Sequence, residues 1–238
     1  MFFPYKQNTT NKFLNGVLSF LVIFSWAFSP ILLTLELPFS NEKIKIGFET
    51  KKAEAAYGNG YNYSRSITIL ETQVTGTANL ASFPVLISFT EPEFKTTGNG
   101  GHVSHPGGLD IVFFPDVGGD GTKLDHEIER YNASTGEITM WVRVPSLSFD
   151  ANTVIYVFYG NSSITSTQEQ TSGATWDGDY MGVWHMDDTA TTNTDSASST
   201  VENGAVTGGA TAGVAGKFGP AYSFDGVNNF FDRESGCG

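Results

Sequence analysis

The sequence predicts an all-β protein, a β-sandwich followed by a second and shorter β region, with an apolar helix ahead of both. Three observations predict it. From Tyr57 onward apolar residues recur with period two rather than 3.6, in short β-branched and aromatic runs bounded by Gly, Pro, Asn and Asp. The 238 residues include 27 Gly and 9 Pro, which suits many short elements joined by turns and argues against long helices. The exception is Phe13–Leu35, an uncharged run of 23 residues behind Lys6 and Lys12. As a helix it would span roughly 35 Å, at about 1.5 Å per residue, enough to cross a bilayer.

A buried globular helix would carry a polar stripe, and Asn15, Ser19, Ser25 and Ser29 are too sparse to make one. Residues 1–56 are therefore expected to be a signal peptide or an N-terminal membrane anchor that exports the rest. Ala53-Glu54-Ala55 has the small-x-small pattern a signal peptidase reads, but about twenty residues separate it from Leu35, so cleavage and anchoring both stay open. Orientation stays open too, because Lys43, Lys45, Lys51 and Lys52 follow the run as Lys6 and Lys12 precede it. The chain carries 25 acidic residues against 13 Lys and Arg, a net charge of -12. From Tyr57 the balance is 21 acidic against 7 basic, a net of -14. That charge excludes non-specific binding to nucleic acid or to anionic lipid, limits membrane contact to the N-terminal segment, and favours neutral or cationic partners, metal ions among them. Cys237 is the single cysteine, so no disulfide forms within the chain.

Six strands are expected in the first region: Ser66–Leu70, Phe83–Thr90, Leu109–Phe114, Leu124–Asn132, Glu137–Pro145 and Thr153–Asn161. In the fifth, Ile138, Met140, Val142 and Val144 share one face and Thr139, Trp141 and Arg143 the other, which predicts one buried side. Asn132–Gly136 reads as a hairpin loop with Gly136 free to take positive φ. Residues 165–175 are polar and read as a linker. Beyond it, Tyr180–Asp188 and Phe218–Gly226 are strand candidates, with Val201–Val206 as a third inside the Gly, Ala, Ser and Thr-rich stretch Thr189–Gly216.

The first region, through its Glu127-Ile128-Glu129 strand, its Trp141-Val142-Arg143-Val144-Pro145 strand and its Tyr159-Gly160-Asn161 ending, resembles the bacterial domain of unknown function 2341. The resemblance covers about Tyr57–Thr171 and implies a secreted β-rich module with no assigned chemistry. "GVWHMDD" (Gly182–Asp188) followed by "GKFGPAYSFDGVNNF" (Gly216–Phe230) is similar to the start of a concanavalin A-like, laminin-G-type jelly roll, which commonly follows that domain in bacterial surface proteins. Such a fold needs more strands than the residues from Gly173 supply, so the resemblance implies an incomplete jelly-roll β-sandwich and a continuation past Gly238. The expected division is 57–164 for the first sandwich, 165–175 for the linker and 176–238 for the partial jelly roll. By fold analogy the expected role is non-catalytic adhesion or carbohydrate binding at the cell surface or outside the cell, with an extracellular glycan or surface protein as partner. The alternatives are a fragment of a polysaccharide-degrading glycoside hydrolase and a structural spacer.

Asp125, Glu127 and Glu129 alternate along one strand and project from one face, with successive same-face Cα atoms roughly 6.6–7 Å apart. They are the catalytic candidates, one as nucleophile and one as acid on the pattern of laminarinase-type hydrolases. The competing expectation is a solvated strand face, paired with Arg143 across the hairpin. Asp116–Glu127 loosely follows a calcium-loop spacing but has Gly118 at its third position and strands on both sides, so a Gly-rich turn is expected. Asp187, Asp188 and Asp225 lie beside strand ends and are the calcium candidates, because related jelly rolls hold that ion with loop oxygens; Asp225-Gly226 as a plain turn is the alternative. His102 and His105 are expected in a polar loop, and His126 falls out of phase with the acidic face. His185, between Trp184 and Met186, is expected to pack. Trp141, Trp176, Trp184 and the tyrosines are candidates to stack on sugar rings, with core packing the alternative for each, and the one expected to be exposed is Trp176, in the polar "TWDGDY". No phosphate loop, His-Glu-x-x-His or Gly-x-Ser-x-Gly pattern occurs. Asn8, Asn62, Asn132 and Asn161 carry Asn-x-Ser/Thr sites, weak indicators of surface loops.

Overall fold

The computed structural model describes residues 31–36, 43–48, 57, 59–168, 174–176, 178–188, 192–197 and 203–233. Residues 1–30, which hold most of the apolar run, and the Ala53–Ala55 motif lie outside them. Strand β1 (Ile31–Glu36), which contains the end of that run, pairs antiparallel with β2 (Lys43–Phe48). Among the described residues no helix is long and apolar enough to cross a membrane.

The first region is a sandwich of two three-stranded antiparallel sheets. One sheet holds β3 (Tyr63–Ile69), β8 (Thr153–Tyr159) and β5 (Val112–Phe114), in that order. The other holds β4 (Leu80–Thr90), β7 (Glu137–Leu147) and β6 (His126–Asn132). Period-two patterning decides which side chains enter the space between them. From β7, Ile138, Met140 and Val142 are fully buried and Val144 is nearly so; they meet Ile155, Val157 and Tyr159 of β8. Each such side chain contributes about 1.5–3 kcal/mol of burial. Phe158 of β8 faces the other way and joins Tyr61, Val112 and Phe114 in a second cluster on the outside of its sheet.

The β6–β7 hairpin turns at Gly136, whose φ is +75°. A Cβ there would sit 2.0 Å from the carbonyl oxygen of Glu91, so glycine is required by the backbone conformation and by the space. The loop after β4 is fastened by Asp110, which is fully buried. Its Oδ2 accepts the backbone N–H groups of Ser104 at 2.8 Å, Gly160 at 3.0 Å and Asn161 at 3.2 Å, and its Oδ1 accepts that of His105 at 2.9 Å. One carboxylate thus ties the loop containing His102 and His105 to the end of β8. His102 stacks on Tyr63 with ring centroids 4.1 Å apart, and Nδ1 of His105 accepts the N–H of Gly107.

Beyond the sandwich come β9 (Thr192–Asn193), β10 (Gly204–Thr207) and β13 (Phe230–Arg233), in the sheet order β13-β10-β9. Strands β11 (Thr211–Ala215) and β12 (Pro220–Ser223) form a hairpin. The described residues are all-β, with short 3-10 turns and no α-helix. Tyr180–Asp188, expected as a strand, is irregular. The N–H of Val183 goes to Oδ1 of Asp195 and its carbonyl takes the N–H of Ser196, while Met186 sits at φ +60°, outside the strand region. Both described ends of the expected linker are tied to the sandwich: Lys123 donates to the carbonyl of Gln168 at 2.7 Å and Arg143 to that of Ala174 at 2.8 Å.

Candidate functional site

The outer face of the β4-β7-β6 sheet is where the chemistry-bearing residues gather. Inward placement of His126, Ile128, Met140 and Val142 sends Asp125, Glu127, Trp141 and Arg143 outward, with Glu127 directly opposite Trp141 in the register. A bulge between Ile128 and Arg130 re-aims the strand at Glu129. Asp125 meets Arg143 across the strands at 3.5 Å. This is the pairing the alternation predicts. Both side chains stay about 30 % exposed, and the guanidinium also reaches Ser82 of β4.

Glu127 and Glu129 are not a solvated face, because Trp176, His185 and Ser196, all far along the chain, lie over them. Nδ1 of His185 lies 2.6 Å from Glu129 Oε2, and its Nε2 lies 3.3 Å from Glu127 Oε1. The second contact is a charge contact rather than an aligned hydrogen bond. Ser196 donates its hydroxyl to Glu127 Oε1 at 2.6 Å, Trp176 its indole N–H to Glu127 Oε2 at 2.7 Å, and Trp141 its own to Glu129 Oε2 at 3.1 Å. The side chains of His185, Glu127 and Glu129 are 14, 26 and 12 % exposed. Burial alone would favour a neutral imidazole, but the close polar contacts with Glu127 and Glu129, and their charges, outweigh it and hold the His185 pKa up at about 10. Burial likewise pushes Glu127 up, and its contact with His185 and its hydrogen bonds from Ser196 and Trp176 more than reverse this, leaving its carboxyl below the ordinary range. At neutral pH an imidazolium therefore sits between two carboxylates.

Trp176, expected as an exposed platform, is 4 % exposed. Its polar neighbours in sequence misled the expectation. The ring packs on Trp141 at 5.0 Å and on His185 at 6.1 Å, and Tyr180 meets it edge-on at 5.3 Å. Trp184 packs elsewhere, against Phe231. His126 is buried, and that burial lowers its pKa to about 4, so it is a neutral core residue.

The calcium candidates are not brought together, and among the described residues no three His, Cys, Asp or Glu side chains converge as a metal site. Asp225 Oδ1 accepts the N–H groups of Val227, Asn228 and Asn229, which makes it a turn residue. Asp188 accepts the N–H of Thr194. Asp116 spends both oxygens on the N–H groups of Gly118, Asp120 and Gly121, closing the Gly-rich turn between β5 and β6. Asp195 Oδ2 and the Asn193 amide are buried without partners, two donors where calcium takes roughly six to eight oxygens.

A shallow cleft of about 270 Å³ opens beside this cluster, lined by Ala81, Ser82, Phe83 and Pro84 of β4 and by Asp179 and Tyr180. Of these six only Tyr180 was covered by a candidate from sequence, as one of the tyrosines able to stack on a sugar ring. Pro84 was the available signal, since proline inside a strand marks an edge, and β4 is the edge of its sheet. Ser82 takes φ +50°, a left-handed conformation uncommon outside glycine.

Comparison with known proteins gives one family. A family model described as Domain of unknown function (DUF2341) matches residues 107–229. The match runs across the expected linker and ends between β12 and β13, whereas the resemblance read from sequence covered about Tyr57–Thr171. No match to a concanavalin A-like or laminin-G family was found alongside it. No curated protein and no solved structure matches the chain.

Proposed function

The chain belongs to the DUF2341 family, and on that premise we propose that it is a non-catalytic carbohydrate-binding or adhesive module of an exported, cell-surface protein. Binding without turnover is supported by one observation above all. The two carboxylates a glycoside hydrolase would need available, Glu127 and Glu129, are spent on His185, Ser196, Trp176 and Trp141. A retaining enzyme needs one free nucleophile and one protonatable acid facing the substrate. Here an imidazolium occupies the space between them, and Glu127 is held ionised. Export rests on the apolar run behind Lys6 and Lys12. The strands from Gly204 to Arg233 are read as the opening of a lectin-like jelly roll, consistent with a glycan partner.

Depletion of the full chain from solution by insoluble glucan, xylan or chitin tests the proposal. Saturable depletion with no release of reducing ends is the expected result. A chain that stays in solution with all three would remove the carbohydrate assignment.

A further inference from the structure

We infer that one enclosed water molecule is bound between Asn193 and Asp195, as a structural ligand that helps to seat His185 and Ser196 on Glu127. Asn193 is 0 % exposed and Asp195 1 %. Three of their polar atoms, Oδ1 and Nδ2 of Asn193 and Oδ2 of Asp195, have no hydrogen-bond partner in the protein. Buried polar groups are almost always paired, with protein or with ordered water, because an unpaired one gives up its hydration for nothing. The two side chains share a face. Thr192 and Thr194 are exposed while Asn193 and Asp195 are buried, the alternation of an extended chain. Same-face positions two residues apart are separated by roughly 6.6–7 Å, too far for a direct bond between side chains of equal length. One molecule making two hydrogen bonds of about 2.8–3.0 Å spans nearly that distance.

Aromatic rings close the position from one side. Gly204 lies directly opposite Asn193 in the β9–β10 ladder, and a Cβ there would sit 1.9 Å from Cζ of Phe231, so that ring covers the glycine. Trp184 meets Phe231 edge-on at 5.2 Å. The free atoms select the ligand. Asn193 offers an acceptor and an N–H donor, and Asp195 Oδ2 a charged acceptor. Water serves all three, giving a hydrogen to each oxygen and accepting one from Nδ2. Asp195 refuses an anion, and a bare cation would find only two oxygens and a competing N–H donor. The other oxygen of Asp195 shows what the ligand supports. Oδ1 accepts the N–H of Val183 at 2.8 Å and that of Ala197 at 2.9 Å, and the N–H of Ser196 goes to the Val183 carbonyl at 2.8 Å. Val183 is two residues before His185, and Ser196 gives its hydroxyl to Glu127. A water that fixes the Asp195 carboxylate therefore fixes the stretches that carry His185 and Ser196. This holds whatever the chain binds, so it does not depend on the carbohydrate proposal.

Magnetic resonance of the isotope-labelled full chain and one substitution test this. Magnetisation from water should pass through space to the side-chain amide protons of Asn193, with the sign of a long-lived contact. Asn193→Leu keeps the branched shape of the side chain and replaces its amide with methyl groups. It should lower the melting midpoint by about 3–8 °C, because it removes the bonds to the water and strands Asp195 Oδ2. An amide with no partner at all predicts the opposite sign, a raised midpoint, since an apolar group of like shape suits such a site better. Dialysis of the native chain against EDTA should leave the midpoint where it was. A raised midpoint in Asn193→Leu, or no transfer from water to the Asn193 amide in the native chain, overturns the inference. A midpoint that falls in EDTA and returns with calcium overturns water as the ligand in favour of an ion. Where Asn193→Leu does not fold, the transfer experiment on the native chain decides alone.

Discussion

Replacing His185 with Gln should remove the charge that fastens the residues around His185 to the sheet, and its effect should depend on pH in a defined direction. In the folded chain His185 titrates near 10 against 6.5 for an ordinary imidazole. A histidine whose folded pKa is raised contributes stability that is complete below the unfolded value and is lost as pH climbs through the folded one. The loss therefore runs from about pH 6.5 to about pH 10. At 1.36 kcal/mol per pKa unit the full linkage approaches 5 kcal/mol, and residual exposure of the three side chains brings it to about 3–5 kcal/mol. Glu127 sets the opposite limb. Its depressed pKa gives stability that is present above the ordinary carboxyl value of 4.5 and is lost as pH falls below it. The residues around His185 should be held most firmly between about pH 4.5 and 6.5. Urea unfolding followed by tryptophan fluorescence reads this directly, because Trp141 and Trp176 lie in the cluster. Between pH 6 and 9.5 the native chain should lose about 2–4 kcal/mol and His185→Gln less than 1 kcal/mol. Parallel pH profiles for the two proteins would show that His185 does not carry its charge in the folded state.

Two further substitutions test the frame around the site. Asp110→Asn points an amide N–H₂ at backbone N–H groups that now meet a carboxylate, and should cost about 3–5 kcal/mol, seen by calorimetry as a melting point lower by about 6–20 °C; a change below 1 kcal/mol would refute its role as a fastener. Gly136→Ala should cost at least about 2 kcal/mol, because φ is +75° and the new methyl would meet the Glu91 carbonyl. Gly76→Ala, at φ +120° with nothing within 4 Å, should cost less, and equal losses in the two melts would contradict the steric argument.

What was legible in the sequence was local. The alternation in β7 placed Ile138, Met140 and Val142 inward and Trp141 and Arg143 outward, and Arg143 did find Asp125 across the strands. Gly136 was recognisable because a hairpin turn needs a residue tolerant of positive φ. The partners of Glu127 were not legible, since Trp176 and Ser196 lie 49 and 69 residues away and no periodicity reports a segment folding back. Polarity around Trp176 suggested exposure, yet an indole N–H bonded to a carboxylate lets a tryptophan be buried among charged groups. Tyr180–Asp188 has the composition of a strand, but its backbone is satisfied by Asp195 and Ser196 instead of a ladder. Asp110 was hidden for a similar reason. A lone aspartate before a strand carries no pattern, and only the convergence of Ser104, His105, Gly160 and Asn161 gives it a role.

Binding without turnover is tested most directly by incubating the full chain with insoluble glucan, xylan and chitin, and reading depletion and reducing ends from the same samples, for the native chain and for Glu127→Gln. The account predicts saturable depletion by at least one polymer and no reducing ends above background with either protein. Reducing ends that accumulate with time in the native chain and disappear in Glu127→Gln would contradict it, and would return Glu127 to the role of a catalytic carboxylate.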